Sequence, residues 1–139
     1  MSRQTRIALV GASGLIGMSL IRLAVERTDI RIIAIARREL ALPKGARMEV
    51  LVADPENWAD AIAAANARVL VSALGTTWKK AGKDEESFRA VDQELVVACG
   101  RAAKAAGIRQ MIAVSSVGAD ASAKNFYLKV KGETEQQLG

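Results

Sequence analysis

The chain has no histidine, one cysteine and one tyrosine among 139 residues. Without imidazole, Ser-His-Asp and Cys-His nucleophilic mechanisms and histidine proton transfer are excluded. A single thiol, Cys99, forms no intrachain disulfide and supplies too few ligands for structural zinc. No metal site is expected, and the chain suits a reducing compartment. Aromatic residues are only 4% of the chain and do not interleave with the basic ones, so no nucleic-acid partner is expected. The uncharged stretch 7–21 is broken by three glycines and falls short of the about 20 residues that cross a bilayer. No membrane partner is expected. The start has no signal-peptide layout, and the expected location is cytoplasmic.

What is present describes an ordinary globular domain. Half of the residues are hydrophobic, 25% are charged, and the net charge is +5. This length fits one domain, 1–139, with a core that needs no disulfide. Short apolar runs at 6–10, 30–36, 48–53, 69–74 and 108–115 read as five strands. Helices are predicted at 14–27, at 55–65 behind Asp54-Pro55, at 86–106 closed by Gly107, and at 126–138. The runs are continuous rather than alternating, so both faces of each strand are expected to be buried, as in a parallel sheet. Strand and helix alternate without a hairpin signal. The fold class is therefore α/β: a three-layer, doubly wound Rossmann sheet of order 3-2-1-4-5.

The first strand runs into Gly11-Ala-Ser-Gly14-Leu-Ile-Gly17 and then a helix, the context in which a glycine pattern reads as a dinucleotide site. Gly11 permits the tight turn, Gly14 admits a pyrophosphate, and Gly17 lets the helix pack against the sheet. The N–H groups from Ser13 through Leu15 to Ile16 face the phosphates. At the end of the second strand, where an NAD site carries a carboxylate, the sequence reads Arg37-Arg38. Guanidinium forks match a 2′-phosphate, so NADP(H) is expected in preference to NAD(H). Asp54 is placed either to meet the adenine amino group or to cap the next helix. Leu74-Gly75 lets backbone approach the cofactor from the fourth strand.

The chemistry falls on the one tyrosine. Tyr127 and Lys131 are four residues apart, on one face of a helix. An ammonium beside a phenol favours the phenolate and lowers its pKa from near 10. Ser115-Ser116 ends the fifth strand, where a hydroxyl can hydrogen-bond a substrate carbonyl while Tyr127 moves its proton. The basic loop Trp78-Lys79-Lys80 with Lys83 reads as a solvated loop or as a lid for an anionic ligand. Cys99 reads as buried and inert.

These motifs in order — GASGLIG, ARR, LGTT, VSSVGAD and YLKVKGE — resemble the atypical short-chain dehydrogenase/reductases, closest to the Tat-interacting oxidoreductase group and its bacterial relatives. The resemblance runs over nearly the whole chain. It implies phosphate contacts at Ser13, Gly14, Leu15 and Ile16, 2′-phosphate contacts at Arg37 and Arg38, and a further cofactor contact at Leu74 and Gly75. It implies active-site roles for Tyr127 and Lys131, with Ser115 toward the nicotinamide and Ser116 toward the substrate. Two departures stand out. Asp92 replaces an asparagine that supports a proton relay in related enzymes, and members of the family continue beyond the tyrosine helix.

The function expected is hydride transfer between NADP(H) and a small-molecule carbonyl or alcohol. Two rivals are a non-catalytic NADPH-binding regulatory or scaffold protein and an NAD-dependent sugar-nucleotide epimerase-like enzyme. The apolar fifth strand is expected at a sheet edge, with homo-oligomer formation through that edge.

Overall fold

The computed structural model describes residues 4–12, 15–46, 48–74, 90–114 and 138. Its strands are β1 (Thr5–Val10), β2 (Ile30–Ala36), β3 (Glu49–Val52), β4 (Val69–Ser72) and β5 (Gln110–Ala113). They form one parallel sheet of order β3-β2-β1-β4-β5, as the alternation of elements required. Helix α1 (Leu15–Ala24) follows β1. A 3-10 turn (Pro55–Asn57) leads into α2 (Trp58–Ala64), and a π-helical segment (Ala90–Leu95) into α3 (Val96–Ala105). β1 begins one residue before its apolar run and β2 matches its run, while β3, β4 and β5 are shorter than theirs.

Strand alternation divides the core into two layers. Ala8, Val10, Ile33, Ile35 and Leu70 face Trp58, Ile62, Cys99 and Ala103 of α2 and α3. Leu9, Ile32, Ala34 and Val71 form the other layer with Ile21 of α1. The expectation that every strand is buried on both faces holds for the centre, where Ile33, Ala34 and Ile35 are fully buried. It fails at the two edges. Val52 on β3 is 53% exposed and Ile112 on β5 is 49% exposed. An edge strand has a neighbour on one side only, so fewer atoms lie above its faces.

Gly107 closes α3 as predicted, in the left-handed region at φ 80°, with its N–H donating to the Lys104 carbonyl. The expected stretch 86–106 begins, within the described residues, with π geometry rather than α geometry. The expected helix 126–138 lies outside the described residues except for Leu138, which is helical and packs near Gly100.

Candidate functional site: the carboxyl ends of β1 and β4

Sheet order reverses at β1: β2 lies on one side and β4 on the other. The chain leaves β1 and β4 in opposite directions, and the crevice this opens is the ligand position of open α/β sheets. Gly11 sits at the exit of β1 with φ 82°. A Cβ placed there would lie 2.5 Å from the Ala73 carbonyl carbon and 2.6 Å from the Leu74 nitrogen. The turn therefore needs glycine twice, for its backbone conformation and because the end of β4 presses against it. Gly17 is required by a different contact. Its Cβ would fall 2.2 Å from the Gly11 carbonyl oxygen and 2.7 Å from the Ala12 Cα. The first turn of α1 thus packs on the glycine loop itself, where the sequence suggested packing on the sheet.

This packing brings the start of α1 to the crevice. The first N–H groups of a helix lack intrahelical partners and carry partial positive charge, a fit for phosphate oxygens. Ile16, in that first turn, is half exposed. Leu15 opens the helix, whereas Ser13 and Gly14 lie outside the described residues.

Arg37 and Arg38 follow directly on β2, beside the end of β1, and both are exposed. Neither forms a salt bridge among the described residues. Both guanidinium forks are open to an anion at this end of the sheet. Asp54 follows β3 with extended backbone (φ −68°, ψ 151°), and its carboxylate makes no capping hydrogen bond to the turn that begins at Pro55. Of the two roles open to Asp54, the helix cap is not formed. The corner is held instead by Trp58, whose Nε1 donates to the Ala53 carbonyl at 2.8 Å. Trp58 is buried, in keeping with a core role.

On the other wall Leu74 is half-buried, and its N–H donates to Ser72 Oγ at 3.4 Å. Ser72 is a residue the sequence reading passed over. It is 1% exposed, level with Val10 of β1 and Ala113 of β5, and its hydroxyl bends the exit of β4. The available signal was a serine closing an otherwise apolar VLVS run. Val114 N–H donates to the Ser72 carbonyl, so the chain that leads to Ser115 leaves β5 beside this exit. Gly75, Ser115, Ser116, Tyr127, Lys131 and the 78–83 loop lie outside the described residues. Asp92 falls in the π-helical segment, and its neighbour Gln93 is buried.

Cys99, on the core face of α3, is buried, and burial pushes its thiol pKa up to about 12. That matches an inert thiol. No cluster of metal-binding side chains occurs among the described residues. No helix among them is long and apolar enough to cross a membrane.

The family model described as NAD(P)H-binding matches residues 11–137. Among curated proteins the chain is similar to protein FMP52, mitochondrial, of Eremothecium gossypii, with 36% identity over 132 residues. That alignment covers 94% of this chain and 58% of the relative, so the chain spans little more than half the length of the curated proteins it matches. Among solved structures it is similar to the Bordetella bronchiseptica enzyme WbmG in complex with NAD (TM-score 0.76, 19% identity, 97% of this chain and 49% of that one). It is also similar to the oxidoreductase ylbE of Lactococcus lactis (TM-score 0.75, 22% identity, 96% and 63%). At these identities the solved structures establish the fold. The expected cytoplasmic location is corrected: relatives from several yeasts carry mitochondrial names. That expectation rested on the layout of the first residues, which does not choose among compartments.

Proposed function

The chain belongs to the NAD(P)H-binding family, with a Rossmann fold shared with short-chain dehydrogenases and epimerases, and from that premise we propose that it is the cofactor domain of an NADP(H)-dependent oxidoreductase acting on a small-molecule carbonyl or alcohol. The observation that carries the choice of NADP(H) is the pair Arg37-Arg38, exposed at the end of β2 and without salt bridges among the described residues. The residues present fit the group. Gly11 and Gly17 hold backbone where a side chain would intrude, and the start of α1 faces the same crevice.

In this reading Ser13 to Ile16 bind the pyrophosphate through backbone N–H groups, and Arg37 and Arg38 take the 2′-phosphate. Asp54, with no capping bond to make, accepts from the adenine amino group. Leu74 and Gly75 close the other wall. When bound, the nicotinamide supplies or accepts the hydride. Ser116 holds the substrate oxygen by a hydrogen bond, with Ser115 toward the cofactor. Tyr127 gives a proton to that oxygen or takes one from it, and the Lys131 ammonium keeps the phenol acidic enough to do so. The exit of β5 beside Ser72 supports this placement of the serines.

The test is a fluorescence titration with NADPH and NADH of the wild type and of Arg37→Ala/Arg38→Ala. A charge-assisted hydrogen bond contributes about 1.5–3 kcal/mol, so each arginine changes NADPH affinity about tenfold or more and leaves NADH affinity nearly constant. Equal losses for the two cofactors refute the assignment. With a panel of carbonyl substrates, Tyr127→Phe keeps the NADPH affinity and lowers turnover by about 10²-fold or more.

A further inference from the structure

At the opposite end of the sheet, four arginines stand in a single cross-strand row. Arg6 is level with Arg31 across β1 and β2. Ile7 is level with Val69 across β1 and β4, and Arg68 N–H donates to the Arg6 carbonyl, so Arg68 continues the row. Val69 is level with Gln110 across β4 and β5, which puts Arg109 beside Arg68. Neighbouring strands lie about 4.8 Å apart, so the row is about 14 Å long. By strand alternation Arg6 and Arg31 leave the face whose next positions are Ala8 and Ile33, the face under α2 and α3, and Arg68 and Arg109 stand one residue before β4 and β5 at the same end of the sheet.

One half of the row is neutralised. Glu49 Oε2 accepts from Arg6 Nη2 at 3.2 Å, and its Oε1 accepts from Arg31 Nη2 at 3.4 Å. A single side-chain carboxylate thus straddles two neighbouring guanidinium groups. Arg6 also donates from Nε and Nη2 to the Ala65 carbonyl at the end of α2, at 3.1 and 2.9 Å. The other half repeats the spacing without the carboxylate. Arg68 and Arg109 are exposed, and neither makes a salt bridge among the described residues. Lys104, in the last turn of α3, adds a further exposed cation at the same end. Like charges directly opposite each other across a sheet are destabilising. Glu49 relieves that repulsion for one pair and leaves it standing for the other.

We infer that Arg68 and Arg109, with Lys104 beside them, form a docking site for acidic side chains of a polypeptide partner. Glu49 supplies the reason for choosing a protein carboxylate: in the same row, at the same spacing, such a group already bridges two arginines. The site lies at the amino ends of the strands and the cofactor crevice at their carboxyl ends, about 15 Å away for strands of this length. A partner held here leaves the crevice open, and the inference stands independently of the proposed reaction.

The experiment measures fluorescence anisotropy of labelled hexaglutamate with three proteins at low salt: wild type, Arg68→Gln/Arg109→Gln, and Arg22→Gln/Lys44→Gln. The last pair removes the same charge from exposed positions on α1 and on the β2–β3 connection. The row variant binds at least tenfold more weakly than wild type, and the control pair changes affinity less than twofold. NADPH affinity is the same in all three, and the thermal midpoint of the row variant is no lower than that of wild type, which shows that the fold is intact. Absence of hexaglutamate binding to the wild type overturns the inference, as does equal weakening in both variants, which is the mark of diffuse charge. Vesicles of phosphatidylglycerol or inorganic polyphosphate binding through Arg68 and Arg109 more tightly than hexaglutamate also overturn it.

Discussion

Replacing Gly11 by alanine separates two costs that the structure assigns to the same position. The first is conformational: φ is 82°, where a side chain is strained by about 1–2 kcal/mol. The second is steric. The new Cβ meets the Ala73 carbonyl carbon at 2.5 Å, its oxygen at 2.6 Å and the Leu74 nitrogen at 2.6 Å. All three are backbone atoms of the two residues that follow β4, which cannot rotate away as a side chain would. Overpacking of this kind costs about 1–3 kcal/mol, so the total is about 2–5 kcal/mol. Gly107 isolates the first cost, because it has φ 80° and nothing within 4 Å of its Cβ. Gly107→Ala therefore loses only about 1–2 kcal/mol. Urea unfolding of both variants at an unchanged denaturant slope gives the two numbers, against a total stability of about 5–15 kcal/mol for a domain. Gly11→Ala also loosens NADPH binding, since the loop can relieve the contact only by moving into the crevice. A loss in Gly11→Ala no larger than in Gly107→Ala refutes the close approach of β4 to the glycine turn.

Other outcomes follow from single contacts. Cys99 holds its proton to about pH 12 in the fold, while an unfolded thiol releases it near 8.5. Its stabilising contribution is fully present below the unfolded value and is lost as pH rises toward 12, by up to about 1.4 kcal/mol per pH unit; the difference between wild-type and Cys99→Ala unfolding curves measures it, and a difference independent of pH contradicts the burial argument. For the same reason, iodoacetamide reacts with Cys99 at the rate of unfolding. Trp58→Phe removes the Nε1 donor from the Ala53 carbonyl and costs about 1–3 kcal/mol in chemical denaturation; an unchanged midpoint means that water replaces the donor. Arg6→Met breaks the bonds to Ala65 and Glu49 and destabilises far more than Asp29→Asn, which touches only the exposed Arg27–Asp29 pair and leaves the unfolding midpoint nearly unchanged.

Sheet order, the glycine turn and the exposed arginines after β2 were legible in the sequence, because each depends on local chemistry. A continuous apolar run such as Ile30–Ala36 can be stable only as a buried central strand, and a chain alternating such runs with helices closes in one way. Arg37 and Arg38 could be read for the same reason: their position is set by the last residue of a strand. Asp54 could not, because an aspartate before a proline suits a cap and a ligand contact equally; its backbone is extended as a cap requires, and only the missing side-chain hydrogen bond in the folded structure separates the two. The compartment was not legible in the residues: the mitochondrial names of the relatives overturned the cytoplasmic expectation. Ser72 showed only as a serine closing an apolar run, and the sheet decided its burial; the arginine row was out of reach for a different reason. Arg6, Arg31, Arg68 and Arg109 are scattered along the sequence and form no motif. They become neighbours only through the register of four parallel strands, and that register is fixed by how the helices cover both faces of the sheet.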